Sequence, residues 1–241
     1  MTLDELADAL FPAGHSLKTD ASGATGGHAT TAAGIKLGVV GMSEGKPVGV
    51  DAAVTLSGYV LDHVARGGGV PLVVLVDTQS QLMARRDELL GLNEYLAHLT
   101  KSLALASIQG HRTIGVIYGP AAAGAFIATA LSTDLLIAVP GAAPSVMDLP
   151  SIARVTKLPL EKLEEMAKST PIFAPGLEHL ATTGAVHETW HDPASYAEKL
   201  DALLAAEQPV GDVRDALGAA RKGRRKAAEI ARRVMDEAHH H

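Results

Sequence analysis

The strongest periodic pattern in the chain lies between Arg86 and Gln109, where Leu89, Leu92, Leu96, Leu99, Leu103 and Ala106 recur at steps of three and four. That spacing predicts an amphipathic helix. Two continuous apolar runs flank it, Val70 to Val76 (VPLVVLV) and Thr113 to Tyr118. Such runs suit strands buried on both faces. Ala121 to Leu131 reads as a helix of small residues and Leu135 to Val139 as a third strand. Strand, helix, strand, helix, strand at this spacing predicts parallel pairing through right-handed crossovers, hence an α/β fold.

Upstream, the composition of Asp20 to Gly34 (Gly, Ala, Thr and Ser with His28) suits a loop, so residues 1–34 read as a loop-rich approach to the core. Ile35 to Val40 and Pro47 to Ala53 read as short strands joined by a turn at Ser43-Glu44-Gly45-Lys46. Leu56 to Ala65 fits a helix stopped by Gly67 to Gly69. Beyond Pro140, helices are expected around Val146 to Val155 and Leu160 to Lys168, a strand from Val186 to Trp190, and a helix from Pro193 to Ala205. Residues 214–238 read as one basic helix with Leu217, Ala227, Ile230 and Val234 inward. With no long linker, the expectation is a single domain over residues 1–241, of which His239 to His241 resemble a purification-tag remnant.

Composition changes this picture in three ways. Only 3% of residues are aromatic against 47% hydrophobic and 24 glycines, so the core must be built from small and branched aliphatics with closely approaching backbones. The net charge of −6 argues against a nucleic-acid partner. The lack of cysteine excludes disulfides and thiolate chemistry. No apolar run reaches the roughly 18 residues of a membrane span. Asp4, Glu5 and Asp8 stand where a signal peptide needs cations, and a cytoplasmic location is expected.

Candidate chemistry concentrates at two strand ends. Tyr118-Gly119-Pro120-Ala121-Ala122-Ala123-Gly124-Ala125-Phe126 passes from a buried strand into a helix, where unpaired backbone N–H groups can hold an oxyanion or carboxylate. Two readings of these small residues stay open, ligand access to the backbone and close helix-to-sheet packing. Asp77-Thr78-Gln79-Ser80-Gln81 follows VPLVVLV, and ligands of parallel sheets bind beyond the carboxyl ends of strands. Pro-Ala-Ala-Ala after Gly119 leaves no serine for a Clp-type hydrolase. No dinucleotide or phosphate-loop fingerprint occurs. His187 and His191, four apart beside Glu188 and Asp192, read as a polar edge, so no metal site is expected. The basic C-terminal residues Arg214, Arg221, Lys222, Arg224, Arg225, Lys226, Arg232 and Arg233 form either a solvated face or a surface for an acidic partner.

In their order and spacing, Val76-Asp77-Thr78-Gln79-Ser80-Gln81, the long helix with Glu94, Thr113 to Tyr118 and Ala123-Gly124-Ala125-Phe126 resemble the carboxyltransferase branch of the crotonase superfamily. Within it, Gly119-Pro120-Ala121-Ala122-Ala123-Gly124-Ala125-Phe126 is similar to the gamma subunits of biotin-independent malonate decarboxylase, over essentially the whole chain. The resemblance implies a crotonase-like (Clp-protease/crotonase) ββα spiral with C-terminal helices. It implies a site shared with a homologous beta subunit, in a complex with an acyl carrier protein and an alpha subunit that transfers that carrier. The reaction would convert a malonyl thioester on the carrier into an acetyl thioester and CO2. The substrate would ride on the carrier's phosphoribosyl-dephospho-CoA arm, with no cofactor on this chain. Carried over by residue, Ala123 and Gly124 would supply backbone donors, Gly119 the turn and Ala122 an open approach. Gln79, Ser80, Pro120, Ala121 and Ala125 would line the substrate. The alternatives are a carboxyltransferase subunit of a biotin-dependent acyl-CoA carboxylase and a non-catalytic scaffold.

Overall fold

The structure, a computed structural model, describes residues 1–169, 176–207, 211–224 and 226–239. They form two compact units, Met1–Val146 with Glu188–Glu207, and Met147–His187 with Gln208–His241. No helix among the described residues is long and apolar enough to cross a membrane.

The first unit is built on a sheet of order β1-β2-β3-β4-β5-β6-β8, with β7 beside β5. Its strands are β1 (His15–Thr19), β2 (Ala24–Thr30), β3 (Lys36–Gly45), β4 (Leu72–Thr78), β5 (Thr113–Ala122), β6 (Leu135–Ala138), β7 (Ala143–Ser145) and β8 (Glu188–Thr189). β1 to β3 pair antiparallel and all later pairs are parallel, as the apolar runs require. Between the strands run α2 (Val50–Ala65), α3 (Arg85–Leu90), α4 (Leu92–Ile108) and α5 (Ala123–Ala128). At the ends of the unit, α1 (Leu3–Leu10) and α9 (Tyr196–Ala205) pack with Val73, Leu75, Val116 and Ile137 of the sheet in one apolar cluster. The few aromatics serve this core, since Phe11, Phe126, Trp190 and Tyr196 are among the largest fully buried side chains.

Several sequence expectations are corrected. Residues 1–34 are not a loop: α1 is closed by a capping box between Thr2 and Glu5, and β1 and β2 form a hairpin. Two of the glycines that suggest a loop, Gly26 and Gly27, are there for close approach. A Cβ on Gly27 would strike the Ser16 carbonyl and one on Gly26 the Tyr59 ring. Pro47 to Ala53 is not a strand, nor is Ser43 to Lys46 a hairpin turn, because β3 runs on to Gly45 and α2 begins at Val50. The cap of α2 comes from a distant residue: Asp87 Oδ1 accepts the Val50 N–H at 2.8 Å.

The long leucine-patterned helix is two helices, broken where Gly91 adopts the left-handed conformation (φ 81°). Leu89 falls on the first piece and is 77% exposed. The small-residue helix expected from Ala121 is shorter than its composition suggests. β5 extends to Ala122, α5 has six residues, and a separate 3₁₀ turn covers Ala130–Ser132. The strand expected from Val186 to Trp190 keeps only Glu188–Thr189.

The second unit contains α6 (Leu149–Thr156), α7 (Leu160–Ser169), α8 (Leu177–Thr182), α10 (Arg214–Ala220) and α11 (Ala227–His239). The basic C-terminal segment is therefore two helices, parted around Lys222 in the left-handed conformation (φ 62°). Its apolar positions do not face inward: Ile230 is 56% and Val234 62% exposed, Ala227 is exposed, and Leu217 only half-buried. Two of its cations, Arg221 and Arg224, hold carbonyls instead. The Arg221 guanidinium donates to the carbonyls of Ala181, Val186 and His187 at 2.6–2.8 Å, and Arg224 Nε donates to that of Thr183 at 2.8 Å. Arg214 pairs with Asp212. Arg225, His240 and His241 lie outside the described residues.

Candidate active site

The site grows from two breaks in strand register around Asp77. β4 pairs with β5 at Val76↔Ile117 and next at Thr78↔Ala121, so Tyr118, Gly119 and Pro120 bulge opposite one β4 residue. On the other side Met42↔Val76 is followed by Gly45↔Thr78, a second bulge opposite the same residue. A bulge frees backbone groups from the ladder. The Asp77 carboxylate lies against the Glu44 and Gly45 backbone at this bulge, whose N–H groups pull its pKa down. Gly119 makes room for it, because a Cβ there would collide with that carboxylate. Burial pushes the Asp77 carboxyl above the usual range, against the two backbone donors that pull it down. Beside it, Tyr118 is buried, donates its hydroxyl to the Met42 carbonyl at 3.3 Å, and has its pKa driven up, first by burial and then by the nearby Asp77 charge.

After the bulge the chain turns from β5 into α5 at Ala123, which holds a left-handed backbone (φ 53°) without being glycine. Such a conformation costs an L-residue about 1–2 kcal/mol. It aims the next amide, Gly124 N–H, sideways from the sheet end, where it donates to Gln81 Oε1 at 2.9 Å. Gln81 is held from behind by a parallel bridge to Val48, with Val48 N–H donating to Ser80 O at 2.9 Å and Leu82 N–H to Val48 O at 2.8 Å. Leu96 of α4 closes the far wall, 3.5 Å from where a Gly124 Cβ would sit.

The residues expected from sequence separate here. Gly119, Ala122, Ala123 and Gly124 are half-buried, and Pro120 is exposed. Ala121 and Ala125 are fully buried and pack behind the turn. Thr78 donates to the Lys46 carbonyl at 2.7 Å, and the Ser80 hydroxyl to the Gln81 carbonyl at 2.9 Å. Gln79 is exposed and lies toward Gly45. Of the β4-end segment it is Gln81 that reaches Gly124. Nothing in periodicity or composition singles it out, because the contact depends on the bridge to Val48. Among the described residues, no group of three or more His, Asp or Glu side chains could hold a metal ion. The arrangement offers oriented amide groups at the edge of a buried sheet end, chemistry suited to an oxygen that gains negative charge.

Comparison with known proteins gives this geometry a context. Residues 43–238 match the family model of the malonate decarboxylase gamma subunit. A malonyl-S-ACP:biotin-protein carboxyltransferase from Malonomonas rubra is 29% identical over 155 residues, 63% of this chain. The chain spans about half the length of that curated relative, 52%. Among solved structures, a Pseudomonas malonate decarboxylase hetero-tetramer in complex with coenzyme A superposes with a TM-score of 0.79 at 26% identity, covering 97% of this chain and 98% of that one. The Pseudomonas MdcD-MdcE hetero-dimer gives 0.75 at 26% identity with the same coverage. Transcarboxylase 12S, at 19% identity, a TM-score of 0.66, and 86% and 42% coverage, shares the crotonase-type fold. With the family model covering most of its length, the chain belongs to the malonate decarboxylase gamma subunit family.

Proposed function

We propose that this chain supplies half of a composite decarboxylase that converts malonyl-S-acyl carrier protein to acetyl-S-acyl carrier protein and CO2, the other half coming from a homologous beta subunit. The observation that carries the reading is the Gly124 N–H to Gln81 Oε1 hydrogen bond at 2.9 Å, which orients an amide at paired strand ends. Loss of CO2 leaves an electron pair that delocalises onto the thioester oxygen, so the step calls for fixed dipoles more than for an attacking group. Ala123 and Gly124 form the turn that orients amide groups at the strand end on this reading. Gly119 and Ala122 keep the approach open, Ala121 and Ala125 hold the turn from behind, and Gln79, Ser80 and Pro120 border the substrate.

The chain binds no cofactor of its own, and the malonyl group arrives on the carrier's phosphoribosyl-dephospho-CoA arm. An alpha subunit acting as carrier transferase completes the assembly, which is cytoplasmic. The family match runs through both compact units and supports treating residues 1–241 as one carboxyltransferase-type domain. Co-expression with a homologous beta subunit should give a stable complex that releases CO2 from a malonyl thioester. A complex that forms and releases none contradicts the proposal.

One observation favours a second reading. The Malonomonas relative is by name a carboxyltransferase to a biotin protein. On that reading the carboxyl group appears on biotin instead of as free CO2, and labelled malonyl thioester separates the two.

A further inference from the structure

Gln81 makes one hydrogen bond that fixes which way its carboxamide faces. The group opposite it is a backbone N–H, and only the carbonyl oxygen of an amide can accept from it. Oε1 therefore points to Gly124, at 2.9 Å, and the Nε2 amino group points away. That amino group has no hydrogen-bond partner among the described residues, nor is it among the buried polar atoms left unpaired. It belongs to a half-buried side chain whose backbone is pinned by the bridge to Val48. Accepting one hydrogen bond on oxygen also polarises the amide and strengthens the hydrogens it offers.

The alternative donor is poorly placed. The Gly124 N–H is already occupied, and α5, six residues long, sums few peptide dipoles. We propose that the Gln81 NH2 group is the donor this chain presents to the thioester oxygen of the malonyl substrate, while the Gly124 N–H fixes and polarises the carboxamide without itself touching substrate. The inference rests on the decarboxylase reading above. In the step concerned, the bond between the carboxylate carbon and the α-carbon breaks and CO2 leaves. The electron pair passes to the α-carbon and thioester oxygen as an enolate. Gln81 donates to that oxygen, and a proton from water then completes the acetyl group.

The test uses the complex with the beta subunit and two variants. Gln81→Glu keeps an oxygen against the Gly124 N–H but replaces the outward donor by an acceptor. Gln81→Met keeps the length and removes both groups. The expected result is that kcat for CO2 release falls about 100-fold in each, the scale of one lost oxyanion donor, with KM much less affected. If the carboxamide only caps the turn, Gln81→Glu keeps wild-type kcat; if it only blocks Gly124, Gln81→Met raises kcat/KM. Either result in an active wild-type complex overturns this inference and leaves the decarboxylase reading standing. A wild-type complex that releases no CO2 overturns both. Should Gln81→Glu fail to assemble, Gln81→Met alone decides by the same fall in kcat.

Discussion

The strand ends around Asp77 and the C-terminal helices of the second unit both look like places for a ligand or partner, and the structure uses them in opposite ways. In the C-terminal segment the charges are conspicuous, yet Arg221 and Arg224 serve backbone carbonyls of Ala181, Thr183, Val186 and His187. At the strand ends the residues are inconspicuous, yet two bulges, a left-handed alanine and a bridged glutamine leave a polarised amide group outward. Charge in a sequence marks where hydrogen bonds can be made; which ones are consumed internally depends on the carbonyls the fold leaves open.

That contrast can be broken most forcefully at Gly119. Gly119→Val drives a side chain into the Asp77 carboxylate, and because the neighbour is wedged between two bulges, relief requires moving strand ends. The expected cost is about 3 kcal/mol or more, read as a fall in the denaturation midpoint. An unchanged midpoint would mean that Asp77 swings freely away and is no keystone.

A smaller effect is expected in the other region. Arg221→Ala strands three carbonyls and should cost about 2–3 kcal/mol, with faster amide exchange in residues 181–187. Arg221→Lys should recover only part, because an ammonium lacks the planar fork that meets several acceptors at once. Full recovery by lysine would reduce the role of Arg221 to bare charge.

The smallest effect concerns pH. Burial raises the Asp77 pKa above its unfolded value, so the folded state holds the proton more tightly. Its contribution to stability is then fully present below the ordinary carboxylate pKa and is lost as pH rises through the raised one. The stability difference between wild type and Asp77→Asn should accordingly move in favour of wild type as pH is lowered through that window. A difference that moves the other way would show that the Gly45 and Glu44 donors outweigh burial.

The sheet was legible where burial is two-sided. Val70 to Val76 has no polar position to confuse strand with loop, Thr113 to Tyr118 has polar groups only at its two ends, and β4 and β5 lie there. What escaped reading depends on partners far along the chain. Asp87 caps α2 from 37 residues away, and Tyr59 and Ser16 explain glycines that locally resemble a loop. Gly91 ends a helix whose leucine spacing continues across the break. At the site, the small residues Gly119 to Ala125 were readable as a strand-to-helix turn, whereas Asp77 as the filler beside Gly119 and Gln81 as the partner of Gly124 were not. Both contacts exist only once β3, β4 and β5 lie in register.

The most direct measurement is CO2 release from a malonyl thioester by the complex of this chain with a homologous beta subunit, wild type against Gly124→Val. A valine there would crowd Gln81 Oε1, 3.2 Å from the new Cβ, and Leu96, displacing the carboxamide. The account predicts an assembled complex whose kcat falls at least about 100-fold, the loss expected for one oxyanion donor. An assembled Gly124→Val complex that turns over at the wild-type rate would contradict it.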